Sequence, residues 1–270
     1  MRITDARTGH RTEIHPHRAG LLRVTVQAGQ PGRPFELADL RALLTADVLA
    51  RIAELQGLQV ITRLSLPDAP AEQIEALLRK AARLGIHPPA GTTAYPDPAA
   101  DLHVTAHPHP DIPPVPLMTV GRVLAPRAGE WDAEAAEPGA AGPAEPDPLA
   151  VRLALLGHAY RAPARLTGQD LTDARATLAR WRSLVAELAR EPSRPLVAEA
   201  ARTAFDGLAD DLDTAPALRA LHVLESRTDL PAGARFETFL RVDRVLGLEL
   251  ERDIGRGPRQ LPGEPVRPGA

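Results

Sequence analysis

Apolar and polar residues alternate from Leu22 through Val24 to Val26, which predicts a strand with one buried face. Gly29, Pro31, Gly32 and Pro34 end it. Leu37, Leu40, Leu44, Val48, Ile52 and Leu55 then recur at steps of three and four, which predicts an amphipathic helix. Glu36, Asp39, Asp47, Arg51 and Glu54 fall on its other, polar side. Such a strand–turn–helix unit is where the first strand of a nucleotide-binding α/β domain meets its first helix, and backbone N–H groups there can hold a phosphate. Glu36 and Asp39 sit in the first turn, where negative charge suits the helix dipole. The plain reading is helix stabilisation; the functional one is a site for cations or hydroxyls. Either way, two acids there would repel a phosphate.

The same patterning organises the rest of the chain. Residues 1–20 predict a small strand or hairpin and a loop, and residues 58–64 a second core strand. A helix follows from Ala71 to Leu84, ended by Gly85. Nine prolines from His87 to Pro116 exclude a helix there, leaving strands at Leu102–Thr105 and Pro116–Leu124. Residues 126–147, rich in Ala, Gly, Pro and Glu, read as a flexible linker. Five helices are expected beyond it, at about 148–160, 169–190, 195–208, 215–226 and 234–246, packed antiparallel through short loops. Asp213 and Thr214 are expected to cap the fourth, and Asp206, Asp210 and Asp211 to be solvated with them. The division expected is 1–125 as an α/β domain, 126–147 as linker, 148–250 as helical bundle and 251–270 as disordered tail.

Composition narrows the chemistry. Cysteine is absent, which removes disulfides, thiolate nucleophiles and Cys-ligated zinc. Hydrophobic content is 44% but aromatic content only 3%, so the core must be aliphatic. The net charge of −3 gives no electrostatic footprint for nucleic acid. No apolar run is long enough to span a bilayer and no signal peptide is recognisable, so a cytoplasmic protein is expected.

The first strand–helix unit resembles the active-site region of cysteinyl-tRNA synthetases and of the related mycothiol-pathway cysteine ligase. There a strand ends in Cys-Gly-Pro, and His-Ile-Gly-His begins nine residues after the Cys. Here Gln27 stands at the Cys and Glu36-Leu37-Ala38-Asp39 at the His-Ile-Gly-His, while Arg41 and Asp47-Val48-Leu49 match. Leu66-Pro67-Asp68 resembles the family's Ile-Thr-Asp. In the helical half, Asp147–Arg152, Leu155-Leu156, His158–Arg161 and Ala209–Thr214 are similar to family phrases. The resemblance implies a class I synthetase-type, Rossmann-like parallel sheet followed by an all-α bundle. It also implies departures. The family's Lys-Met-Ser-Lys-Ser loop has no counterpart, since Lys80 is the only lysine, and a long middle segment looks deleted.

Adenylation needs positive or hydrogen-bond-donating groups at the triphosphate. Here acids replace the family histidines, so the expectation is a non-catalytic paralogue, a pseudoenzyme that binds a small molecule or a partner protein. Its pocket candidates are Gln27, Gly29, Glu36, Asp39, Arg41 and Asp68. An ATP-dependent ligase with a rebuilt site is the alternative. His103, His107 and His109 suggest a third possibility, a small metalloprotein, since imidazoles suit Zn, Fe or Ni. No cofactor is expected under the first reading; ATP or a divalent metal belongs to the others. Binding of tRNA is expected to be weak or absent, and no membrane association is expected.

Overall fold

The computed structural model describes residues 1–66, 69–107, 114–124 and 147–256. A hairpin of β1 (Arg2–Thr4) and β2 (Arg11–Glu13) opens the chain. Strand β3 (Leu21–Gln27) leads into α1 (Leu37–Leu55), then β4 (Gln59–Ser65), α2 (Ala71–Arg83), β5 (Gly91–Thr93), β6 (Leu102–Thr105) and β7 (Leu117–Thr119). The five strands β5-β4-β3-β6-β7 form one sheet in that order, parallel throughout. This is a Rossmann-like arrangement.

The segment expected as one strand over 116–124 is broken in two. Gly121 lies where a Cβ would come within 2.3 Å of the Ala162 carbonyl oxygen. The chain leaves the sheet there and forms β8 (Val123–Leu124), which pairs in parallel with β9 (Ala164–Arg165). The helical half comprises α3 (Pro148–Leu156), α4 (Gly168–Leu188), α5 (Ala198–Ala209), α6 (Ala215–Ser226) and α7 (Ala232–Leu246). Helix α3 is shorter than expected, stopping at Leu156, and α5 starts at Ala198 rather than Pro195. No helix among the described residues is long and apolar enough to cross a membrane.

Helix α1 departs most from its pattern. It packs on β3, β4 and β6, and also on α5 and α7. Helix α1 is thus a shared wall between sheet and bundle, and its polar side is buried too. Asp39, Arg41 and Asp47 are all inaccessible, whereas Glu36 and Glu54 remain exposed. Each buried charge has partners, as burial requires. Asp47 accepts from Arg152 at 2.6 Å and Arg51 at 2.8 Å, with His87 beside it at 3.0 Å. Burial works against the Asp47 carboxylate, but these partners hold it far below the usual carboxylate range.

The acids expected at a solvated helix end are also corrected in part. Asp211 is buried and accepts from the Thr4 backbone N–H at 2.7 Å, the Thr4 hydroxyl at 2.9 Å and the Tyr160 hydroxyl at 2.7 Å. Arg161 pairs with the same carboxylate at 3.0 Å. Asp213 does receive the Ala215 N–H, but the Thr214 hydroxyl donates to the Leu156 carbonyl rather than capping α6.

Candidate functional site

The strand order reverses between β3 and β6. The chain passes from β3 through α1 to β4 on one side, while β6 lies on the other. Ligands of open parallel α/β sheets bind in the crevice beyond the strand C-termini at such a point. Here that crevice is bounded by the turn after β3, the start of α1 and the residues after β6.

Gly29 makes the turn with a positive φ of 77°, a conformation that glycine adopts without the steric penalty of a Cβ. Its N–H donates to Asp39 Oδ1 at 2.6 Å. The Glu36 N–H donates to Asp39 Oδ2 at 2.7 Å. The third partner is His107, whose Nε2 lies 3.1 Å from Asp39 Oδ1. The other ring nitrogen, Nδ1, is 3.2 Å from Gln30 Nε2. The Thr105 hydroxyl fixes this turn by accepting the His107 N–H and donating to its carbonyl. A chain Gln30–His107–Asp39 therefore crosses the crevice.

The helix start already holds an anion, and that anion belongs to the protein. Two amides of this turn, those of Gly29 and Glu36, are taken by the Asp39 carboxylate, and the exposed Glu36 adds a second acidic side chain. These residues do not match a triphosphate cradle. Nor do they match a Cys-ligated zinc centre, since the chain has no cysteine and Gln27 is not a usual zinc ligand. Among the described residues no group of three His, Cys, Asp or Glu is arranged to hold a metal.

Of the pocket candidates, Gln27, Gly29, Glu36 and Asp39 come together at this crevice, with Gln27 half-buried at the end of β3. Arg41 does not face it. It is 2% exposed and donates to the carbonyls of Gly121 (2.9 Å), Ala162 (2.6 Å), Ala159 (2.8 Å) and His158 (3.4 Å). Burial lowers its pKa to about 10. Asp68 and His109 lie outside the described residues. His103 sits within β6, fully buried, and is separate from the bonds His107 makes. Sequence reasoning missed Gln30 and Thr105. The Thr105-Ala106-His107 spacing is a hydroxyl turn signal that could have marked the second. A separate recess of about 270 Å³ in the helical half is lined by His158, Asp170, Asp173, Thr177 and His222, away from the crevice.

Part of the chain is similar in sequence to named ligases. Over 112 residues it is 43% identical to the L-cysteine:1D-myo-inositol 2-amino-2-deoxy-alpha-D-glucopyranoside ligase of Thermobifida fusca, covering 39% of this chain and 26% of that protein. The ligase of the same name from Streptomyces scabiei is 40% identical over 108 residues, covering 38% of this chain and 25% of the relative. That from Thermomonospora curvata is 47% identical over 72 residues, covering 27% and 16%. The matched stretches thus span about a quarter or less of these curated relatives. No family model matches the chain.

Proposed function

We propose that the chain is a ligase relative that has given up adenylation and serves as a binding protein, for a small molecule at the switch-point crevice or for a partner protein. The observation that carries this reading is Asp39. An enzyme that binds a triphosphate at a helix start needs those amides open and the surrounding charge positive. Here a buried carboxylate receives the amides of Gly29 and Glu36. Like charges a few ångströms apart in a partly desolvated site repel by about 4 kcal/mol.

The test is ATP–pyrophosphate exchange with each common amino acid in turn. No exchange above background is expected; robust exchange with any one would overturn the reading. A second reading, a ligase with a rebuilt site, draws support from the 43% identity to a named ligase, and the same assay separates the two. We also infer a cytoplasmic protein with only weak, salt-sensitive tRNA association, since the net charge is −3. Sub-micromolar filter binding of purified tRNA-Cys at physiological salt would refute the latter.

A further inference from the structure

The two faces of the sheet differ in kind. The one under α1 is apolar: Val24, Val26, Leu64, Leu102, Val104 and Met118. The register brings Thr25, Gln27, Ser65, His103 and Thr105 to the other. All of these but Gln27 are buried. A buried polar side chain is unfavourable unless it finds a partner. Thr105 finds one in His107. Within this set of side chains three atoms do not: Gln27 Oε1, His103 Nδ1 and His103 Nε2.

These orphans are neighbours. Thr25 lies opposite His103 and Gln27 opposite Thr105, so Gln27 and His103 are diagonal across the β3–β6 junction. Diagonal residues on a sheet face are about 7–8 Å apart at the backbone, within reach of each other's long side chains. Gln27 is half-buried at the strand end and His103 lies deeper, so approach is past Gln27. The orphans also define their complement. Gln27 Oε1 requires a donor, and a neutral imidazole requires one donor and one acceptor. None of these orphan atoms has a hydrogen-bond partner among the described residues, and His103 is fully buried. A net ion would therefore be desolvated there without compensation.

We propose that Gln27 and His103 form a binding subsite on this second sheet face, at the switch point, for a small neutral molecule bearing primary-amide or hydroxyl groups. It rests on the reading that the chain binds a small molecule, and is independent of whether adenylation survives. Nitrogen-15-labelled protein titrated with acetamide or ethylene glycol, without ATP, reads the site through the His103 ring nitrogens and the Gln27 side-chain amide. Saturable shifts of both are expected, lost in Gln27→Met and in His103→Phe, with acetate and methylammonium at least ten-fold weaker. Should His103→Phe not fold, His103→Gln and Gln27→Met decide. Absence of saturable shifts, equal binding by the variants, or saturation by zinc ions alone would each overturn the proposal. Pyrophosphate exchange bears only on the preceding reading, so the two can fail separately.

Discussion

Asp39 concentrates the argument at the scale of single residues. Its carboxylate joins the β3 turn, the start of α1 and the turn after β6 through Gly29, Glu36 and His107. Asp39→Ala should lower stability by about 3 kcal/mol in urea titration, because hydrogen bonds to a charged group contribute about 1.5–3 kcal/mol each and the orphaned Gly29 amide stays buried. His103 sets a second expectation. Burial, reinforced by Arg7, lowers its pKa to about 4, against 6.5 for a free imidazole. Below pH 6.5 the unfolded chain takes up the proton more readily than the folded one, so stability is lost as pH falls from 6.5 through 4. The contribution lost by pH 5 is about 2 kcal/mol. Asp243 acts oppositely: burial raises its carboxyl to about 6, despite the Leu248 and Leu250 amides, so its protonation favours the folded state as pH falls toward 4. The clean measurement is therefore the difference between wild type and His103→Gln at pH 7 and pH 5, where the variant should lose about 2 kcal/mol less on acidification.

Elements are joined by an unusual clamp. Arg41, one turn into α1, donates to four carbonyls drawn from the exit of β7 and the connection between α3 and β9. A planar guanidinium can meet several acceptors at once, whereas an ammonium cannot fork in this way. Arg41→Met should cost about 3 kcal/mol and Arg41→Lys should recover less than half of it, judged by denaturant midpoints. Gly121 is the counterpart on the strand side. A Cβ there would meet the Ala162 oxygen at 2.3 Å, so Gly121→Ala must displace backbone. A loss of about 1–3 kcal/mol is expected. The match to Arg-after-His-Ile-Gly-His made Arg41 visible in the sequence as a site residue. Its actual acceptors were not visible, because main-chain carbonyls 80 to 121 residues away leave no side-chain signature.

For the whole molecule, α1 and the ion network on it hold sheet and bundle together. Arg152 of α3 is fully buried; besides Asp47 it donates to the Leu84 and Leu246 carbonyls. Arg51 adds a donation to the Gly85 carbonyl. Among the described residues Arg152 pairs with no other carboxylate, whereas Asp47 also has Arg51 and His87. Removing one partner of a buried pair costs about 3–5 kcal/mol because the other charge is left uncompensated. Asp47→Asn should therefore destabilise more than Arg152→Met. The apolar core is continuous from Leu22 and Val26 through Leu49 to Leu153 and Val245, which favours a single unfolding transition. Trp181 fluorescence, from α4, and far-ultraviolet circular dichroism should then give one midpoint; separated midpoints would argue for independent units.

The sequence by itself determined the local elements and their order. Alternation marked β3, prolines argued against a helix across residues 87–116, and steps of three and four located α1. These are properties of short stretches, set by pleat, helical pitch and the missing proline N–H. It also carried the likeness to ligases, because motif spacing survives where side chains have changed. The tertiary structure alone decided which polar residues are buried. Asp39 and Asp47 read as solvent-facing acids because periodicity reports one buried side at a time, and α1 has two; Asp211 is buried by Thr4 and Tyr160, which lie far from it in sequence. Likewise the second sheet face and its orphaned His103 follow from strand order and register, which no single strand's pattern contains.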